Sequence, residues 1–142
     1  MNKKPIIVLG VVGNDIHVVA NRLLEISLKS SNINVINLST NNMPVDFADT
    51  ALECSADAVL IGSLNGEALH WCRDLRILFE ERGIGDILIY LGGNLVTGNM
   101  PLSKIEEQFL GTGINRIYHG RAEIDVIIKN LKKDIVYGHT FY

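Results

Sequence analysis

Five short apolar runs separated by longer amphipathic segments constrain this chain most, because parallel strands buried on both faces need a crossover helix between each pair. Pro5–Val12, Asn34–Leu38, Asp57–Ile61, Asp86–Leu91 and Arg116–Tyr118 read as strands, several of them continuously apolar. Helices fill the intervals. The first is expected from near Val18 to Ser30, with Val19, Leu23 and Ile26 on one face, and the second covers about Val45–Ser55, after Pro44. A third is expected over Glu67–Arg82, with Ala68, Trp71, Cys72, Leu75, Leu78 and Phe79 as its apolar stripe and Gly83 as its stop. Pro101 opens a fourth that runs to Leu110 and ends at Gly111, and a fifth covers Ala122–Lys133. Five strands and five helices at this spacing predict a doubly wound α/β sheet.

The 142 residues fit one domain, expected over 1–137, with Gly138–Tyr142 as a short tail. A formal net charge of −3 with interspersed signs, and only Lys129, Lys132 and Lys133 as a small basic cluster, excludes the basic face that nucleic-acid binding requires. Cys54 and Cys72 both fall inside expected helices without paired spacing, as reduced core or interface thiols do. Met-Asn-Lys-Lys resembles a signal-peptide start, but the apolar stretch behind it breaks at Gly13-Asn14-Asp15. No run reaches membrane-spanning length. A cytoplasmic protein is expected.

Function is expected at the carboxyl edge of the sheet. The loops after strands one, three and four carry Gly13-Asn14-Asp15, Gly62-Ser63-Leu64-Asn65-Gly66, and Gly92-Gly93-Asn94 with Gly98, and in a parallel sheet such loops converge where the strand order switches. In the first of them, Asp15 precedes His17 by two residues. An imidazole that ligates a metal needs its other N–H held by an acceptor, and a carboxylate there fixes the tautomer. An N-cap aspartate beside a solvated histidine fits the same residues. Other chemistries fit less well: the phosphate-cradling glycine patterns and the Gly-x-Ser-x-Gly turn are absent, Gly62-Ser63 replaces the aspartate of a phosphoacceptor domain, and His70, His119 and His139 have no zinc spacing with His17.

Gly10-Val-Val-Gly-Asn-Asp-Ile-His-Val-Val-Ala-Asn, Ala58-Val-Leu-Ile-Gly-Ser-Leu-Asn-Gly and Leu88-Ile-Tyr-Leu-Gly-Gly-Asn-Leu-Val together resemble the small, cobalamin-binding subunit of glutamate mutase (methylaspartate mutase), from Lys4 to about Asp134. That family carries an Asp-x-His-x-x-Gly motif whose histidine displaces the nucleotide base from cobalt, a Ser-x-Leu motif after strand three and a Gly-Gly pair after strand four. The resemblance implies a flavodoxin-like (Rossmann-like) five-stranded cobalamin-binding domain that takes adenosylcobalamin base-off, with His17 as the lower axial cobalt ligand and Asp15 hydrogen-bonded to it. It further implies that Asn14, Ile16 and Val18 flank the ligand, that Leu64 lines the channel for the nucleotide tail, and that Gly92, Gly93, Asn94, Leu95, Val96, Thr97 and Gly98 border the corrin and nucleotide.

Ala20 stands where the family has the motif's glycine, and Gly62 where it has the serine, with Ser63 beside it. The family's proline-containing segment after strand five is shortened to His119-Gly120-Arg121-Ala122. Ala20 would crowd the tail, and Gly62 removes a donor to the displaced base. The implied activity is one subunit of an adenosylcobalamin-dependent isomerase that interconverts L-glutamate and threo-3-methylaspartate, inactive alone and partnered by a larger barrel-type substrate-binding subunit. A cobalamin carrier for methyl transfer, and a cofactor-free or regulatory flavodoxin-like domain, are the alternatives.

Overall fold

The apolar runs pair into one parallel sheet. The computed structural model describes residues 3–13, 19–63, 66–120 and 122–142. Its strands are β1 (Ile6–Val11), β2 (Asn34–Asn37), β3 (Ala58–Ser63), β4 (Leu88–Gly93) and β5 (Arg116–His119), ordered β2-β1-β3-β4-β5. Each strand lies within about two residues of its expected bounds, the scatter usual at element ends. The order reverses between β1 and β3, which is the switch point of a flavodoxin-like sheet.

Alternation along the strands divides the core into two layers. Val8, Val59, Ile61, Ile89 and Leu91 face one layer, covered by α2 (Pro44–Cys54), α3 (Ala68–Cys72), α4 (Leu75–Glu81) and α5 (Leu102–Gln108). Ile7, Leu9, Ala58, Leu60, Leu88 and Tyr90 face the other, covered by α1 (Val19–Ser30) and α6 (Ile124–Tyr137). Full burial of each large aliphatic side chain is worth about 1.5–3 kcal/mol, so the continuously apolar runs are what a doubly covered sheet demands.

Three helices differ from expectation. The segment expected as one helix over Glu67–Arg82 is two, because Arg73 and Asp74 interrupt it and Asp74 leaves the helical region at φ −108°, ψ 13°. The break lets each half seat its own anchor. On α3, Trp71 lies over Gly13; on α4, the buried Arg76 guanidinium donates to the carbonyls of Gly113, Gly85 and Ile87 and to Asn115 Oδ1 at 2.6–3.0 Å. The last helix runs to Tyr137, a turn past Lys133. Asp134 on that added turn is 1% exposed and takes two hydrogen bonds from Arg116 and one from the Tyr90 hydroxyl, so the extension pins α6 to β4 and β5.

The third difference concerns α1. Val19, Leu23 and Ile26 do share a face, but they are 72%, 53% and 60% exposed, while Asn21, Glu25 and Leu28 are buried. The polar pair is accommodated because Asn21 Oδ1 accepts from Asn37 Nδ2 at 2.7 Å and Glu25 holds Arg22 and Lys29. Residues 138–142 close on the domain: Tyr142 exchanges backbone hydrogen bonds with Gly113 and Ile114, and Asn115 donates to His139 O.

Candidate functional site

Three loops interlock at the carboxyl edge. Gly66 N donates to Asn94 O at 3.0 Å, Gly120 N donates to Gly93 O at 2.9 Å, and Leu95 N donates to His119 Nδ1 at 3.2 Å, so the segments after β3, β4 and β5 hold one another. After β2, buried Asn42 donates through its side chain to the carbonyls of Val11, Leu38 and Ser39, and Gly13 N donates to Asn42 O. Gly13 adopts φ +77°, and a Cβ built there would lie 2.5 Å from Trp71 Nε1. Glycine is therefore required twice over at the last described residue before the Asp15–His17 segment.

Beneath this edge, between the sheet and the helices α1 and α6, lies a cleft of about 560 Å³. Its floor is built from two rows of strand residues. Nearest the edge, Val11, Gly62, Gly92 and Tyr118 stand side by side in register; one row deeper stand Leu9, Leu60 and Tyr90. Ala20, Asn21, Leu23 and Leu24 of α1 and Ile124 and Ile127 of α6 complete the walls. The outward apolar face of α1 is thus partly explained, since Val19 and Leu23 border this cleft.

The paired glycines make the space. A Cβ at Gly62 would meet Val11 Cγ2 at 3.6 Å and one at Gly92 would meet Tyr118 O at 3.6 Å, both ordinary contacts, and neither backbone is left-handed. Protein packing therefore does not require glycine at either position. Side chains there would instead fill the cleft, so the pair leaves an open, largely apolar space. Among the described residues that line it, one buried polar group is unsatisfied: Asn21 is 6% exposed and its Nδ2 has no partner.

Of the residues expected to bind, Gly62, Gly92 and Gly93 line this cleft, and Ala20 does too, so both departures from the family pattern face the same space. Ser63 does not. It is fully buried on the opposite face of β3, its hydroxyl without a partner among the described residues, and strand alternation keeps it from replacing a hydroxyl at Gly62. Asn94, Thr97 and Gly98 are exposed at the edge, while Leu95 and Val96 are buried in the larger core. Asn14, Asp15, Ile16, His17, Val18 and Leu64 lie outside the described residues.

Sequence reasoning passed over Asn21, Tyr90, Tyr118 and His119. Asn21 shares a helical face with Glu25 and Leu28, which reads as solvent-facing in a sequence, so no pattern pointed to its burial. Among the described residues no three His, Cys, Asp or Glu side chains could hold a metal ion, and no helix is long and apolar enough to cross a membrane.

No family model matches the chain. Curated relatives do: it is 38% identical over 133 residues to a glutamate mutase sigma subunit of Yersinia enterocolitica, covering 94% of this chain and 90% of that one. It is 39% identical over 129 residues to a glutamate mutase sigma subunit of Carboxydothermus hydrogenoformans, covering 91% and 94%. Among solved structures it resembles a cobalamin-binding protein from Desulfitobacterium hafniense, with a TM-score of 0.74 at 18% identity over 92% of this chain and 59% of that one, a likeness of fold.

Proposed function

This chain belongs to the family of glutamate mutase sigma subunits, and we propose that it holds adenosylcobalamin base-off, with the nucleotide tail in the cleft under α1 and α6. The observation that carries the reading is the Gly62–Gly92 pair, a cradle that Cβ atoms would fill and that the protein's own packing leaves free. Apolar walls and one unpaired amide suit a flat heteroaromatic base entering that space.

In this reading His17 would hold the cobalt, and Asp15 would fix its tautomer and raise its basicity. Asn14, Ile16 and Val18 flank the ligand and Leu64 lines the tail channel. Gly92 and Gly93, with the segment Asn94–Gly98, border the corrin and nucleotide; the bonds from Gly66 and His119 hold that segment in place. When bound, adenosylcobalamin supplies radical chemistry through homolysis of its cobalt–carbon bond. Among the described residues lining the cleft none is cationic, so the substrate's carboxylates are held by a second, barrel-type subunit that covers the upper corrin face. The reaction is the interconversion of glutamate and 3-methylaspartate, in the cytoplasm.

Anaerobic addition of adenosylcobalamin to the purified chain tests the reading. The expected result is saturable binding with a base-off absorption spectrum, together with quenching of Trp71, the sole tryptophan, which lies over Gly13. His17→Gly should abolish the spectral change, and Asp15→Asn should weaken binding by about 10- to 100-fold. A bound, base-on spectrum contradicts the ligation, and the absence of binding contradicts the cofactor.

A further inference from the structure

We propose that Asn21 recognises the base of the bound nucleotide tail, its side-chain amide donating a hydrogen bond to a ring nitrogen of that base. The inference rests on the cofactor reading above and assigns to α1 the donor that β3 lacks. Gly62 has no hydroxyl, and Ser63 faces the other layer of the core.

The amide of Asn21 is fixed from one side only. Its Oδ1 accepts from Asn37 Nδ2 at 2.7 Å, and Asn37 in turn receives Ser39 N on its own Oδ1 at 2.8 Å, so the oxygen is committed and the orientation set. The nitrogen is buried without a partner, a condition that folded proteins rarely keep at a position without a use for it. Asn37 on β2 is in register with Leu9, which places Asn21 on the β2–β1 side of the cleft at the depth of the row formed by Leu9, Leu60 and Tyr90, one row deeper than Gly62 and Gly92. That depth selects the ligand group. The surrounding walls are apolar and none of the described lining residues is cationic, so a phosphate is disfavoured there and an aromatic ring with one acceptor nitrogen is favoured.

The test compares three corrinoids on the wild-type chain, Asn21→Leu and Asn21→Asp. The three are cobalamin, whose benzimidazole carries a free ring nitrogen when base-off, a phenolyl cobamide, whose base has no ring nitrogen, and cobinamide, which has no nucleotide. Dissociation constants come from quenching of Trp71 fluorescence. Asn21→Leu should weaken cobalamin by about tenfold while leaving phenolyl cobamide and cobinamide within about twofold of wild type. Asn21→Asp keeps an oxygen facing Asn37 and lacks the donor only while ionised, so its loss of cobalamin affinity relative to phenolyl cobamide should grow as pH is raised. Equal weakening of all three corrinoids, or no weakening of cobalamin in either variant, overturns the proposal. A wild-type chain that binds neither cobalamin nor cobinamide overturns the cofactor reading itself, and the role of Asn21 with it.

Discussion

Gly62 and Gly92 matter for the volume they leave. Their strand neighbours would accept a methyl group at ordinary contact distances, so a larger side chain should cost the fold little and the cleft a great deal. Gly92→Val should keep the melting temperature close to wild type, since a β-branched residue suits a central strand. It should weaken cobalamin by about 10- to 100-fold, the effect of inserting methylenes into an occupied space, and spare cobinamide; calorimetric titration of both ligands checks this. Gly13 is the opposite case. At φ +77° with Trp71 over it, Gly13→Ala should lower stability by about 1–3 kcal/mol in chemical denaturation. The two kinds of glycine look alike in the sequence, and only the register of the strands and the place of Trp71 separate a glycine that lines the cleft from one that its backbone requires.

Among the elements, α1 and α6 define the cleft, and α6 is held by an ion pair between the buried Asp134 and the partly exposed Arg116. Burial pushes the Asp134 carboxyl up, but the Arg116 guanidinium and the Tyr90 hydroxyl outweigh it and hold the group below its ordinary value. A carboxyl lowered in the folded state stabilises above its unfolded value and loses that contribution as pH falls through the lowered one. Asp134→Asn should therefore cost about 2–4 kcal/mol at neutral pH, and the gap to wild type should narrow as the medium is acidified below the usual carboxylate range, as thermal melts across that range would record. The strands and most of the helices were legible because burial on both faces writes continuous apolar runs. The exceptions have physical causes outside any local pattern: Arg76 anchors on loop residues up to 39 positions along the chain, Asp134 pairs with β5, and α1 buries Asn21 and Glu25 because Asn37 waits on the neighbouring strand. Asp15 and His17, which the sequence singles out as a motif, lie outside the described residues, whereas the cleft lined by Gly62 and Gly92 exists only once β1, β3, β4 and β5 are paired.

At the scale of the whole molecule, one face of the sheet is a sealed core and the other is split open at its carboxyl end between α1 and α6. Such a body can grip a cofactor by its tail and present it to a second polypeptide, with solvent excluded only once both are assembled. The chain alone should bind cobalamin and isomerise no glutamate; titration with the larger subunit of a glutamate mutase, followed by 3-methylaspartate formation, should show turnover that saturates with the partner. The most direct measurement of the central claim is the electron spin resonance spectrum of bound cob(II)alamin on protein whose histidine carries the heavy nitrogen isotope. If His17 is the lower ligand, the triplet splitting from an axial nitrogen becomes a doublet on labelling and returns to a triplet with unlabelled protein. A triplet that is unchanged by labelling would show the cofactor's own base still on cobalt and contradict the account.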